Sequence, residues 1–150
     1  MKKLIQNRRS AGWNLIEIIV AVAIGASIAA AGVAAYQGEA QKAAIAKAKD
    51  FISQVETKKQ QLLADANSGD TNAIADIAHV AQQIRVQGVP LTGTPSTDAA
   101  ALGFKTLNYG NMDTVAADGT VTAETEPAYV QVNSGQYVVS NTITSTAPSY

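Results

Sequence analysis

Glu17 is the residue whose setting most requires a chemical explanation. It stands immediately before residues 18–38, a stretch without a single charge. A carboxylate in a membrane helix costs about 2.5–3.5 kcal/mol at the centre and less near the interface, and it is normally matched by a partner. The chain carries few other reactive groups. It has no cysteine, which excludes a disulfide, a thiolate metal site and a cysteine nucleophile. The one histidine, His79, supports neither a triad nor a histidine metal cluster, and it reads as a partly exposed structural residue rather than a ligand or proton switch. No glycine-rich phosphate loop precedes a helix. Asp113, Asp118, Glu124 and Glu126 gather around a predicted hairpin, and oxygen ligands of this kind suit calcium. The spacing of a calcium loop is absent, so a solvated acidic face is expected there. Asp50 and Glu39 read as helix-surface charges. No catalytic site, metal or cofactor is expected.

The charges are segregated. Residues 1–12 hold Lys2, Lys3, Arg8 and Arg9 and no acid, although the whole chain has 11 basic and 12 acidic residues and a net charge of -1. A basic head before an acidic body is a targeting pattern, and the acidic body argues against direct nucleic-acid binding, which needs a basic face to neutralise phosphates. The uncharged stretch approaches the roughly 20 residues that cross a hydrocarbon core as a helix. Its basic flank places residues 1–12 in the cytoplasm and the rest outside. Within it, Ala21, Gly25, Ala29 and Gly32 recur at spacings of four, four and three, which aligns small side chains on one stripe where helices can pack closely.

The stretch Gly12-Trp13-Asn14-Leu15-Ile16-Glu17-Ile18-Ile19-Val20 resembles the processing site of type IV prepilins. In that family a basic leader ends in Gly, a prepilin peptidase cuts after it, the new first residue is N-methylated, and a Glu is fifth in the mature chain. The resemblance places cleavage at Gly12, N-methylation on Trp13 and the register-setting acid at Glu17. The likeness continues more loosely through Ala31-Gly32-Val33-Ala34-Ala35-Tyr36-Gln37 and covers about 30 residues. A first residue other than Phe and the absence of Pro from the membrane helix resemble the type IVb group. The lack of cysteine departs from the C-terminal disulfide usual in both groups.

Cleavage after Gly12 would leave a positive amine on Trp13, about one helical turn from Glu17. In a stack of subunits, the Glu17 carboxylate of one can neutralise the Trp13 amine of its neighbour, which sets axial register more than it adds stability. Glycines weaken a helix by about 1 kcal/mol each relative to Ala. Any melting of the helix in a filament is therefore expected to centre on Gly25–Gly32, and to be modest because no Pro lies there.

Beyond residue 37 the pattern turns amphipathic. Ile45, Ala48, Ile52, Val55 and Leu62 follow one apolar stripe, interrupted by Lys59, and the helix is expected to run to about Asp65. A second helix is expected from Asp70 or Thr71 through Ile74, Ile77, Ala81 and Ile84, followed by a loop over residues 88–99. Short antiparallel strands are expected at 104–109, 120–125, 129–133 and 136–144, with turns at Asp118-Gly119 and Ser134-Gly135. Residues 145–150 read as a frayed end, open to glycosylation.

The expected organisation is a cleaved leader over 1–12, a transmembrane and filament-core helix over 13–37, an amphipathic continuation over 38–66 and an α+β head over 67–150. The resemblance implies a structural protein: a pilin-like subunit, in the inner membrane before assembly and afterwards part of a cell-surface filament made of copies of itself. It also implies three assembly partners, namely a prepilin peptidase, a platform membrane protein and a cytoplasmic ATPase. Two other functions fit parts of the sequence. A type II secretion pseudopilin shares the N-terminal features. A secreted soluble protein would use Ala29-Ala30-Ala31 as an ordinary signal-peptide cleavage site, with Glu17 ill-placed in its apolar region.

Overall fold

The computed structural model describes residues 15–68, 76–115 and 121–150. The architecture is α+β, and the chain divides into two compact units, one ending at Gly38 and one running from Glu39 to the C-terminus. Helix α1 spans Leu15–Asn67 without a break. It holds no Pro, and it runs through Gly25, Gly32 and Gly38 without interruption. Its end lies two residues beyond the expected Asp65. There Ser68 donates its amide to the Ala64 carbonyl at 3.0 Å and its hydroxyl to the Asp65 carbonyl at 2.8 Å.

From Ala48 onward α1 buries one stripe: Ala48, Phe51, Ile52, Val55, Lys59 and Leu62. Steps of three and four keep these positions on one face. Lys59, the residue that interrupts the apolar pattern, stays in the stripe and is buried.

Helix α2 covers Ile77–Gln83 and corrects the expected start. Asp76 is extended (φ -133°, ψ 161°) and caps the helix, its carboxylate accepting the His79 amide at 2.7 Å. A helix cannot run through an extended residue, so this one starts after Asp76; the expected start at Asp70 or Thr71, with Ile74, lies outside the described residues. Ile84 is extended as well and ends the helix before the expected position.

The expected loop over 88–99 is instead a hairpin followed by a helix. Strands β1 (Arg85–Val86) and β2 (Val89–Pro90) pair antiparallel, with Gln87 and Gly88 both at positive φ, 50° and 83°. That backbone matches the twist of a two-residue hairpin. Helix α3 spans Pro95–Leu102. Pro95 stands at the helix start, where its missing N–H is harmless, and Gly103 closes the other end at φ 72°. The Phe104 amide reaches the Ala99 carbonyl and the Gly103 amide the Ala100 carbonyl, at 2.9 and 3.2 Å, a Schellman closure. Pro and Gly punctuate this segment as helix ends rather than as loop residues.

A four-stranded antiparallel sheet completes the head, in the order β3 (Thr106–Asn108), β6 (Tyr129–Gln131), β7 (Tyr137–Val139), β8 (Thr142–Thr144). The expected turn at Ser134-Gly135 joins β6 to β7, with Gly135 at φ 86°. The expected long strand over 136–144 is a hairpin, because Ser140 and Asn141 take φ of 45° and 66° and turn the chain between Val139 and Thr142. Between β3 and β6, β4 (Thr114–Val115) pairs with β5 (Val121–Thr122); the Asp118-Gly119 turn lies outside the described residues.

One apolar core fills the second unit. It joins Phe51, Ile52 and Val55 of α1 to Val80, Val86, Leu102, Leu107, Tyr109, Val130, Val132 and Val138. Phe51 and Tyr109 meet edge to face at 5.3 Å, a geometry that adds to their area burial. The C-terminal end is tethered rather than frayed. The Tyr150 ring lies 5.9 Å from that of Tyr129, and its hydroxyl donates to the Pro127 carbonyl at 3.4 Å. Partial burial pushes the Tyr150 phenol up to about 12.

Candidate functional site

The residues given processing, register and packing roles by the sequence belong to the stretch up to Gly38. Gly12 and Trp13 lie outside the described residues. Glu17 is in the first described turn of α1. Ala21, Gly25, Ala29 and Gly32 follow on the same helix, within an arc of about 80° at 100° per residue. A methyl group added at Gly25 or Gly32 would meet nothing within 4 Å. Leu15, Ile18, Ile19, Val20, Ile24 and Ile28 are all exposed, at 45% or more of their surface. Consecutive exposed positions such as 18, 19 and 20 point in different directions around a helix, so this segment is apolar on every side. Among the described residues, α1 alone is long and apolar enough to cross a membrane.

The head carries three polar clusters. His79 is partly exposed, and its Nδ1 lies 3.4 Å from the Asp76 carboxylate that caps the same helix. The Asp76 carboxyl sits below its usual pKa because it accepts the backbone amide of His79. That is the structural role expected of His79.

Asp98 is buried and holds four donors. Its Oδ1 accepts the Thr92 amide and hydroxyl, each at 2.9 Å, and its Oδ2 accepts the Gly93 amide at 2.9 Å and the Tyr109 hydroxyl at 2.7 Å. Burial and the adjacent carboxylate push the Tyr109 phenol far above its ordinary value. A carboxylate saturated by four donors pins the loop before α3 to the core and leaves no lone pair for chemistry.

The third cluster revises the acidic face expected around residues 113–126. Glu124 is only 21% exposed and accepts the Lys59 Nζ at 2.7 Å. Glu56, one turn before Lys59, accepts the same Nζ at 3.1 Å and the Ala128 amide at 2.7 Å. The Asp113 carboxylate accepts the Glu124 amide. Burial pushes the Glu124 carboxyl up, against the opposing effect of Lys59. Glu126 remains solvent-exposed, and Asp118 lies outside the described residues. Asp50 and Glu39 are helix-surface groups as expected, bonded to Gln54 and Lys42 at 2.9 Å. No group of three or more His, Cys, Asp or Glu side chains is placed to hold a metal among the described residues.

The sequence signal for this cluster was the lysine in an apolar stripe. Nothing in the spacing pointed to Glu124 as its partner, because 65 residues separate the two. No family model, characterised protein or solved structure matches this chain.

Proposed function

We propose that this chain is a structural subunit of a type IV pilus-like extracellular filament. A prepilin peptidase removes the leader after Gly12, Trp13 is N-methylated, and the subunit waits in the inner membrane before joining a helical homopolymer. The observation that carries this reading is an unbroken helix, apolar on every side over residues 18–38, with one acid, Glu17, immediately before that stretch. A helix of that kind is soluble in lipid before assembly. Afterwards it needs an equally apolar surround, which copies of itself supply.

Glu17 gives that packing its register. Buried with the Trp13 amine of a neighbour, it forms a charge-assisted pair that tolerates only one axial offset, since any slip leaves both charges alone in an apolar medium. Ala21, Gly25, Ala29 and Gly32 let neighbouring helices approach closely. A platform membrane protein and an ATPase drive extrusion, and the subunit itself is not an enzyme.

Intact-mass and N-terminal peptide analysis of protein sheared from the cell surface tests this reading. A chain beginning at Trp13 with one added methyl group is expected. A chain beginning at Gly32 would instead identify an ordinary secreted protein and sink the proposal.

A further inference from the structure

We propose that the sheet edge formed by β8 is a contact between two copies of this chain, β8 of one pairing antiparallel with β8 of the other about a two-fold axis at Ile143. The sheet registers set Leu107 opposite Val130, Val130 opposite Val138 and Val138 opposite Ile143. Directly opposite residues point to the same face of a sheet, so these four form one row on the side that meets the core. The first three are 4%, 0% and 0% exposed, whereas Ile143 is 41% exposed. The apolar row therefore runs past the rim of the core. Apart from Tyr150, which packs on Tyr129, Ile143 is the one large hydrophobic side chain left exposed among the described residues from Glu39 onward.

The edge itself is open. Among the described residues β8 pairs with β7 and with no other strand, while at the opposite edge β3 lies against α3. Soluble proteins guard an open edge with Lys, Pro or a bulge, because its free N–H and C=O groups recruit another strand. Strand β8 uses none of these. Thr142, Ile143 and Thr144 carry no charge and no Pro, and they pair one-to-one with β7. The strand is also as long as β3, β6 and β7.

Two observations select a second copy as the occupant. Every pairing in the four-stranded sheet is antiparallel. An edge strand related to itself by a two-fold axis is antiparallel as well, so the contact extends the sheet in its own pattern. Charge is the second. Residues 127–150 carry no charged side chain, whereas acids outnumber bases over residues 39–126. Two copies that meet through the acidic part bring like charges together; at β8 they do not, and an uncharged edge gives a charged partner nothing to pair with. With Ile143 opposite the partner's Ile143, Thr142 faces the partner's Thr144, and the apolar row passes from one head into the other. A slip of one residue turns the partner's Ile143 to the other face, which fixes the register. Three residues make a small contact, of the weak class below about 1,200 Å², so covalent trapping is the fitting readout.

The proposal is independent of the filament reading and is tested on the full chain in detergent. The chain has no cysteine, so thiols placed in it report alone. Thr142→Cys and Thr144→Cys are made separately, mixed and mildly oxidised. In the proposed register position 142 lies directly opposite position 144 of the partner, with Cβ atoms about 4.5–5.5 Å apart. Each position lies on a diagonal of about 7–8 Å from its own counterpart, beyond the reach of a disulfide. A disulfide-linked dimer is therefore expected from the mixture and from neither variant alone. Association driven by α1 sets no register at β8, so this pattern separates the two. No linked dimer in the mixture, or as much from either variant alone, overturns the proposal. Ile143→Lys, added to both variants, sets like charges opposite each other at an already exposed position. It is expected to abolish the linked dimer while the circular-dichroism spectrum stays unchanged, and a linked dimer that persists overturns the role given to Ile143.

Discussion

Gly110 shows how much a single position can demand. It sits at φ 69°, and a Cβ there would overlap the Glu126 carbonyl oxygen and come within 2.7 Å of the Pro127 carbonyl carbon. The same carbonyl of Glu126 accepts the Asn111 amide at 2.8 Å, so this backbone cannot retreat without losing a hydrogen bond. Gly110→Ala combines left-handed strain with a backbone clash and is expected to cost about 2–4 kcal/mol. A urea melt of the variant showing a loss under 1 kcal/mol would contradict that close approach. Asp98 gives a second case. Asp98→Asn puts an NH₂ where an oxygen now accepts, donor against donor in a buried place, and is expected to cost about 2–4 kcal/mol. Tyr109→Phe removes one bond to a charged group while keeping the ring against Phe51, and is expected to cost less than Asp98→Asn in the same measurement. None of these three roles was legible in the sequence, where Gly110 is one glycine among eleven and Asp98 lies in a segment read as loop. Lys59 was half legible. Its place in the stripe was visible, but its partners come from a segment fixed only by the fold.

Periodicity carried the elements that are long or alternate cleanly. Helix α1 was read to within two residues of its end because its stripe repeats over many turns and no breaker interrupts it. Strands β3, β5, β6, β7 and β8 fall in the expected regions, each shorter than the segment that suggested it, since β-branched residues also occupy the turns' flanks, while β1, β2 and β4 lie outside every expected strand. Helix α3 was missed because its apolar face is mostly alanine and its ends are marked by Pro95 and Gly103. Two predictions belong at this level. In a filament, loss of helical structure in α1 is expected to be modest and to centre on Gly25–Gly32. A density map with a long unwound stretch there would contradict the effect assigned to Gly25 and Gly32. In helix α2, the Asp76 cap has a lowered pKa, so its contribution is present above the unfolded carboxylate value and is lost as pH falls through the folded one. Amide exchange at His79 and Val80 is therefore expected to speed up on acidification below pH 3.8, the ordinary value for that group, and Asp76→Ala is expected to show the faster exchange already at neutral pH. Equal exchange in both proteins at neutral pH would remove the cap from the account.

Across the whole chain, the two units differ in what their apolar residues do. Every buried core residue, from Ala48 to Val138, belongs to the unit that starts at Glu39, while residues 15–40 are all exposed. The described apolar residues of the first unit therefore contribute nothing to that core, and the helix that carries them could span a membrane or be a signal sequence. A fragment from Glu39 to Tyr150 keeps the stripe on α1, the sheet and the Lys59 and Asp98 clusters. It is expected to be soluble without detergent, to unfold in one cooperative step, and to melt within about 5 °C of the head in the full chain held in detergent, a difference of roughly 1 kcal/mol or less for a domain of this size. The comparison needs only two circular-dichroism melts. A fragment that stays unfolded, or that melts far lower, would mean that residues before Glu39 support the head. The division of labour between a self-sufficient head and an assembly helix would then be wrong. The same fragment added to cells that make the full chain is expected to remain outside the filaments, since it lacks both Glu17 and the helix that Glu17 would align. Its incorporation would remove the reason for assigning polymerisation to that helix.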